Sequence, residues 1–218
     1  MTKLFVSRMH RLFAAILCLA ALGACNTIVP AATPNTVFYS LGGMAGAATA
    51  AGPATLPAAA PTLMVNPPHA AAGFDSQRII YLRETHKLEY FAHSEWIDPP
   101  ARMLAPLLVA AVQNTGAFRA VVLTPSSAAG DLRLDTEIIR LQHEFQSQPS
   151  RVRFTLRAYL VDDKTRRVLA WREFDAAIPA ASDDPYGGVV AANRAVQNAL
   201  EELSAFCAEA ARSARMEK

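Results

Sequence analysis

Between Arg151 and Val161 the chain alternates with period two. Val152, Phe154, Leu156, Ala158 and Leu160 point one way; Arg151, Arg153, Thr155 and Arg157 point the other. That pattern predicts a strand with one face on a core and one toward solvent. Asp162-Asp163-Lys164-Thr165-Arg166 reads as a hairpin turn, with Val168 to Ala176 pairing back. Asp131 to Leu141 predicts another strand, with Leu132, Leu134, Thr136 and Ile138 on a shared face, and Phe118 to Leu123 a shorter one. Upstream, Arg78 to Leu82 and Leu88 to Trp96 form a hairpin around the polar turn Glu84-Thr85-His86-Lys87. Its second strand puts Leu88, Tyr90, Ala92, Ser94 and Trp96 on one face. Val37 to Leu41 and Leu63 to Val65 are short strand candidates.

Two segments carry helical spacing instead. After Asp98-Pro99-Pro100, with Asp98 as N-cap, Met103, Leu104, Leu107, Leu108, Ala111 and Val112 make one apolar face, and Gly116 ends it. Pro106 fits a helix that begins near Arg102 and must kink one that begins at Pro99. Gly187-Gly188 opens a terminal helix whose stripe is Val189, Ala192, Val196, Ala199, Leu200, Leu203, Cys207 and Ala210. The order is four strands, a helix, four strands, a helix. It predicts a single α/β domain of the α+β kind, a mixed sheet with two main amphipathic helices. Gly42 to Pro61 is almost wholly Ala, Gly, Pro and Thr. It has little apolar bulk to offset ordering entropy and is expected to be a flexible loop, about 25 Å root-mean-square as a coil.

The first residues follow a different pattern. Lys3, Arg8 and Arg11 precede an apolar run, Leu12 to Leu22, and no acidic residue occurs before Cys25. A bilayer-spanning helix needs about 20 apolar residues, so the run has the size of an export-signal core rather than a span. Leu22-Gly23-Ala24-Cys25 resembles the bacterial lipobox, in which small residues precede a cysteine that is diacylated and becomes the first residue. Residues 1–24 are thus expected to be a signal peptide, cleaved after Ala24, with Cys25 the lipidation site and 25–36 the lipidated N-terminus and tether. The alternative is an ordinary cleaved leader followed by chance by a cysteine. Asn26, where an aspartate would suggest inner-membrane retention, implies sorting to the outer membrane, facing the periplasm.

Composition then narrows the chemistry. The formal charge is +2, but Lys3, Arg8 and Arg11 leave with the leader, and nothing argues for nucleic acid. Cys18 also leaves and Cys25 takes lipid, so Cys207 has no disulfide partner and reads as a small buried hydrophobe. No Gly-x-Ser-x-Gly elbow, Cys-x-x-Cys pair or phosphate loop occurs. His143-Glu144 lacks the second histidine of a zinc-protease helix, and a metal pair of His86 with His93 is disfavoured, one being in a turn and the other mid-strand. Asp162/Asp163 and Asp183/Asp184 fit turn chemistry. Arg151, Arg153 and Arg157 read as a solvated outer face, with a contact surface for acidic partners or lipid headgroups as the sharper alternative. Trp96 and Trp171 are expected in the core. No catalytic residue, metal or cofactor is expected.

The stretch Ile79-Ile80-Tyr81-Leu82-Arg83, with Leu88 to Trp96 and Ile97-Asp98-Pro99-Pro100-Ala101-Arg102-Met103-Leu104, resembles the ABC-type transport auxiliary lipoprotein family. Val37 to Leu41, Thr165 to Ala170 and the closing helix also fit, so the resemblance runs from Cys25 to about Ala211 and leaves 212–218 as a tail. It implies an anticodon-binding-like fold over 37–211 and a non-enzymatic role beside an MCE-type lipid transport system. The partners implied are an MCE-domain periplasmic protein and its ABC permease and ATPase, with the membrane reached through the lipid anchor and a homo-oligomeric ring as one arrangement. The competing readings are a structural lipoprotein assisting another envelope-assembly machine, and a periplasmic hydrolase gathering His93, His143 and a carboxylate.

Overall fold

The computed structural model describes residues 35–42 and 60–216. The expectations for the leader, Cys25, most of the tether and residues 43–59 of the Ala-rich loop fall outside the described residues.

The sheet is organised by one long strand, β7 (Leu132–Glu144), which is apolar on alternate positions and buried at Leu132, Leu134, Thr136 and Ile138. Along one side it pairs antiparallel with β8 (Arg151–Asp162), and β8 pairs antiparallel with β9 (Val168–Pro179). Along the other side three short strands share its length in parallel: β2 (Thr62–Val65), β3 (His69–Ala70) and β4 (Arg78–Leu82). Outside them lie β6 (Ala120–Leu123) on β2, β5 (Leu88–Trp96) on β4, and β1 (Val37–Tyr39) on β5. The described residues thus form a nine-stranded mixed sheet whose edges are β9 on one side and β6 and β1 on the other. The expected order holds, with the two-residue β3 added.

The helices α1 (Pro100–Gln113) and α2 (Pro185–Met216) cover one face. Leu104, Leu108 and Val112 of α1 and Val196, Ala199, Leu203 and Cys207 of α2 join the strand side chains in one core. The many alanines of α2 let its axis approach the sheet, and larger contacts fill the gaps: Phe174 of β9 meets Phe206 edge-on, with ring centroids 5.9 Å apart. Each fully buried leucine or phenylalanine contributes about 1.5–3 kcal/mol.

Three expectations change. The helix α1 begins at Pro100 with Pro99 at the cap and no side-chain cap bond, so Asp98 is not the N-cap; it pairs with Arg102 at 3.2 Å. Pro100 has no N–H to cap, which reduces what a capping aspartate would gain. The observed start at Pro100 rather than near Arg102 places Pro106 in the second turn of α1. In β5 the single face breaks. Ser94 and Trp96 are buried, but Leu88, Tyr90 and Ala92 are exposed, and Phe91 turns toward the core instead. A register shift between Arg78 and Ile80 on β4 inverts the pleat midway. Finally, Trp96 is core at 3% exposed, whereas Trp171 is 62% exposed on the edge strand β9, stacked on Tyr159.

Candidate functional site

Where the chain enters the domain, four successive residues are fastened to three elements. Ile97 N–H donates to Tyr39 C=O at 2.7 Å, and Leu41 N–H to Met103 Sδ of α1 at 3.5 Å. Asn193 of α2 then grips both sides of the turn: its Oδ1 accepts from Gly42 N–H at 2.6 Å, and its Nδ2 donates to Ser40 C=O at 3.2 Å. Gly42 sits at φ +87°, a left-handed turn that glycine adopts without strain, and a Cβ there would lie 2.8 Å from Leu107 Cδ2, so that side chain would have to shift. A force applied at the N-terminal side of Tyr39 is therefore passed to the sheet edge and to both helices. Beside this clamp a groove of about 610 Å³ runs between α1 and α2, lined by Gly42, Leu107, Ala111, Val196 and Leu200.

A second polar cluster joins the β7–β8 hairpin to the start of α2. Ser150 Oγ donates to Asp183 Oδ1 at 2.5 Å, and His143 Nε2 lies 2.8 Å from Ser150 Oγ. The serine has one proton and the carboxylate only accepts, so His143 Nε2 donates. Its Nδ1 has no hydrogen-bond partner among the described residues and faces Gly188, where a Cβ would come within 2.6 Å. Burial lowers the His143 pKa below its ordinary value, against the opposing charges of Asp183 and Asp184. The imidazole is only 2% exposed. In a hydrolase the histidine stands between serine and carboxylate and removes the hydroxyl proton. Here the hydroxyl stands in the middle and points its proton away, so the set ties elements together without activating a nucleophile. The next residue, Asp184, accepts from Gly187 N–H at 2.7 Å, which holds its carboxyl below the usual aspartate range and caps α2. The Asp183/Asp184 pair is thus a latch and a cap. The serine contact joins strands through pairing that spacing along the chain does not reveal.

Away from the helices, the arginines expected as a solvated basic face form a neutralised lattice. Arg151 reaches Glu144 at 2.9 Å, and Arg153 lies 3.6 Å from Glu144 and 3.7 Å from Asp175. Arg157 lies between Glu137 at 3.6 Å and Glu173 at 3.0 Å. Their charge is compensated by carboxylates on the neighbouring strands. Burial raises the Glu144 pKa, but hydrogen bonds from Gln142 and Arg151 and the charges of Arg153 and Arg151 outweigh it and hold it below the ordinary value. Asp162 and Asp163 do turn chemistry: Asp162 Oδ1 accepts from the N–H groups of Lys164 and Thr165, and Asp163 pairs with Arg133 and Arg166. His86 and His93 are both exposed, and no metal-ligating cluster occurs among the described residues. Cys207 is fully buried and its thiol is pushed up to about 12 by desolvation. No described helix is long and apolar enough to cross a membrane.

The sequence model of the ABC-type transport auxiliary lipoprotein component matches residues 39–205. The chain belongs to that family. The match begins at the clamp, on the last residue of β1, and ends within α2, so it takes in β2 to β9, α1 and the first part of α2. No curated protein matches the chain. Among solved structures, this auxiliary domain is similar to protein XCC0632 from Xanthomonas campestris, at 24% identity and TM-score 0.67, covering 74% of this chain and 91% of that one. It is also similar to an uncharacterized protein, at 15% identity and TM-score 0.58, covering 81% of this chain and 98% of that one. These likenesses are of fold. The family description makes its members auxiliary lipoprotein components of ABC-type transport.

Proposed function

We propose that this chain is a non-enzymatic outer-membrane lipoprotein that holds the distal end of an MCE-type lipid transport system. The observation that carries this reading is the family match across 39–205, starting where Asn193 and Met103 clamp the incoming chain. In this reading residues 1–24 are removed after Ala24 and Cys25 carries the lipid. Two or more acyl chains hold a protein stably at about 0.8 kcal/mol per buried methylene, where one holds it only marginally. Residues 25–36 form the tether, which at full stretch keeps the 37–211 domain within about 40 Å of the bilayer. The helix α2 continues past Ala211 to Met216, so the tail expected over 212–218 begins as the last turn of that helix. On the periplasmic face the domain meets an MCE-domain protein that bridges the periplasm from an inner-membrane ABC permease and ATPase.

Purification of the tagged protein from membranes tests this. Retention of an MCE-domain protein and its permease is the expected result, lost or weakened in Cys25→Ala. Retention of an outer-membrane barrel or its assembly factors instead would assign the chain to another envelope machine.

A further inference from the structure

The strand β9 is an edge of the sheet among the described residues: it pairs with β8 and with nothing else. It is 12 residues long, with no lysine, and its proline, Pro179, is its last residue. One bulge, opposite Leu160 and Val161, lies near its start. Native proteins usually blunt such an edge with charged side chains, lysine above all, or with an internal proline, a bulge or a cover, because every second N–H and C=O points outward and unpaired; the exposed charges of β9 are Arg172, Glu173 and Asp175, and the last two are engaged by Arg157 and Arg153 of β8. This edge also carries the most exposed tryptophan, Trp171. Alongside it runs a groove of about 570 Å³ between β9 and the last turns of α2, lined by Arg167, Val168, Arg172, Phe206 and Glu209. The Arg172 guanidinium lies over the Phe206 ring at 5.7 Å. Unlike the lattice arginines, Arg167 and Arg172 make no ion pair among the described residues, so the groove sets two uncompensated cations against Glu209.

We propose that β9 accepts an extended acidic segment of a partner protein as an added strand, its alternate side chains entering the Arg167/Arg172 groove. Backbone pairing along β9 supplies the affinity, and the two guanidinium groups select carboxylates on the groove side. Residues between them stand beside Trp171 and Tyr159, a rigid aromatic anchor of the kind that dominates interface energies. Strand addition at this edge is independent of which cargo is transported and of how the chain is anchored.

The test uses the mature full-length protein in detergent, with a short peptide alternating valine and glutamate as the probe. The expected result is binding with hydrogen-exchange protection of the amides from Val168 to Glu173. Affinity should fall about tenfold in Arg172→Glu and again in Arg167→Glu, a turn substitution that leaves the Phe206 contact intact. A counterpart with lysine for glutamate, and one N-methylated at alternate amides, should not bind. Absence of binding, equal binding of the lysine peptide, or protection confined to the α1–α2 groove would overturn the proposal. So would self-association of the protein through the same amides, which would make the occupant a second copy of this chain.

Discussion

On the helix side of β8, Val152, Phe154, Leu156, Ala158 and Leu160 are at most 2% exposed, while on the opposite side the Arg151, Arg153 and Arg157 side chains are 43%, 29% and 33% exposed. The same twelve residues therefore serve two kinds of surface. The covered face is held by loss of apolar area from water, which depends little on salt or pH. The open face is held by charges that neutralise one another across β7, β8 and β9, at modest net gain because water competes for each group. Stability belongs to the first face. The second is left tolerant of change and ionically balanced, and the uncompensated charge is displaced to the β9 edge.

The sharpest way to break this contrast is to cut the covered face. Phe154→Ala should cost about 3–5 kcal/mol in denaturant unfolding. A loss comparable to that of Arg153→Ala, expected within about 1 kcal/mol and smaller in high salt, would mean that the two faces do not differ. Next in size is Gly188→Ala. Alanine gains about 1 kcal/mol in helix propensity, but its Cβ would meet His143 Nδ1 at 2.6 Å. Overpacking of about 1–3 kcal/mol should win, and His143→Ala in the same chain should recover the loss.

The two faces also separate by pH. The folded-state pKa of His143 lies below its ordinary 6.5. As pH falls below that value the unfolded chain takes up a proton that the native fold refuses, so stability drops and His143→Gln should remove the drop. The Glu144 carboxyl is held below its ordinary 4.5, so its contribution is complete above that pH and fades as pH falls through the lower folded value. Glu144→Gln should abolish only this more acidic step. Urea midpoints measured across pH for the two variants resolve the steps. The smallest effect is chemical: Cys207, buried with its thiol pushed up to about 12, should resist alkylation in the native protein and react on unfolding.

What could be read in advance follows from the range of the forces involved. The alternation of Val152 to Leu160 and the stripe Val189 to Cys207 are local patterns set by burial, and they gave β8 and α2 directly. The exposure of Trp171 was not legible, because an edge strand and a central strand can share the same alternation; only the sheet order shows that β9 has no outer neighbour. The inversion within β5 depends on a register shift against β4, a property of two strands together. The outer-face position of Arg151, Arg153 and Arg157 was legible from alternation, but their ion pairs were not, since the carboxylates arrive from β7 and β9. Ser150 joins His143 to Asp183 and so latches α2 to the hairpin, a link to side chains 7 and 33 positions away that no local pattern marks. The clamp by Asn193 spans 151 positions of chain and left no trace in the sequence beyond Gly42.

Mass spectrometry of the amino-terminal peptide of the mature protein tests the anchored reading most directly. The expected result is a chain that begins at residue 25 and bears a diacylglyceryl thioether on that cysteine. An unmodified thiol there, or a mature chain that starts elsewhere, would contradict it.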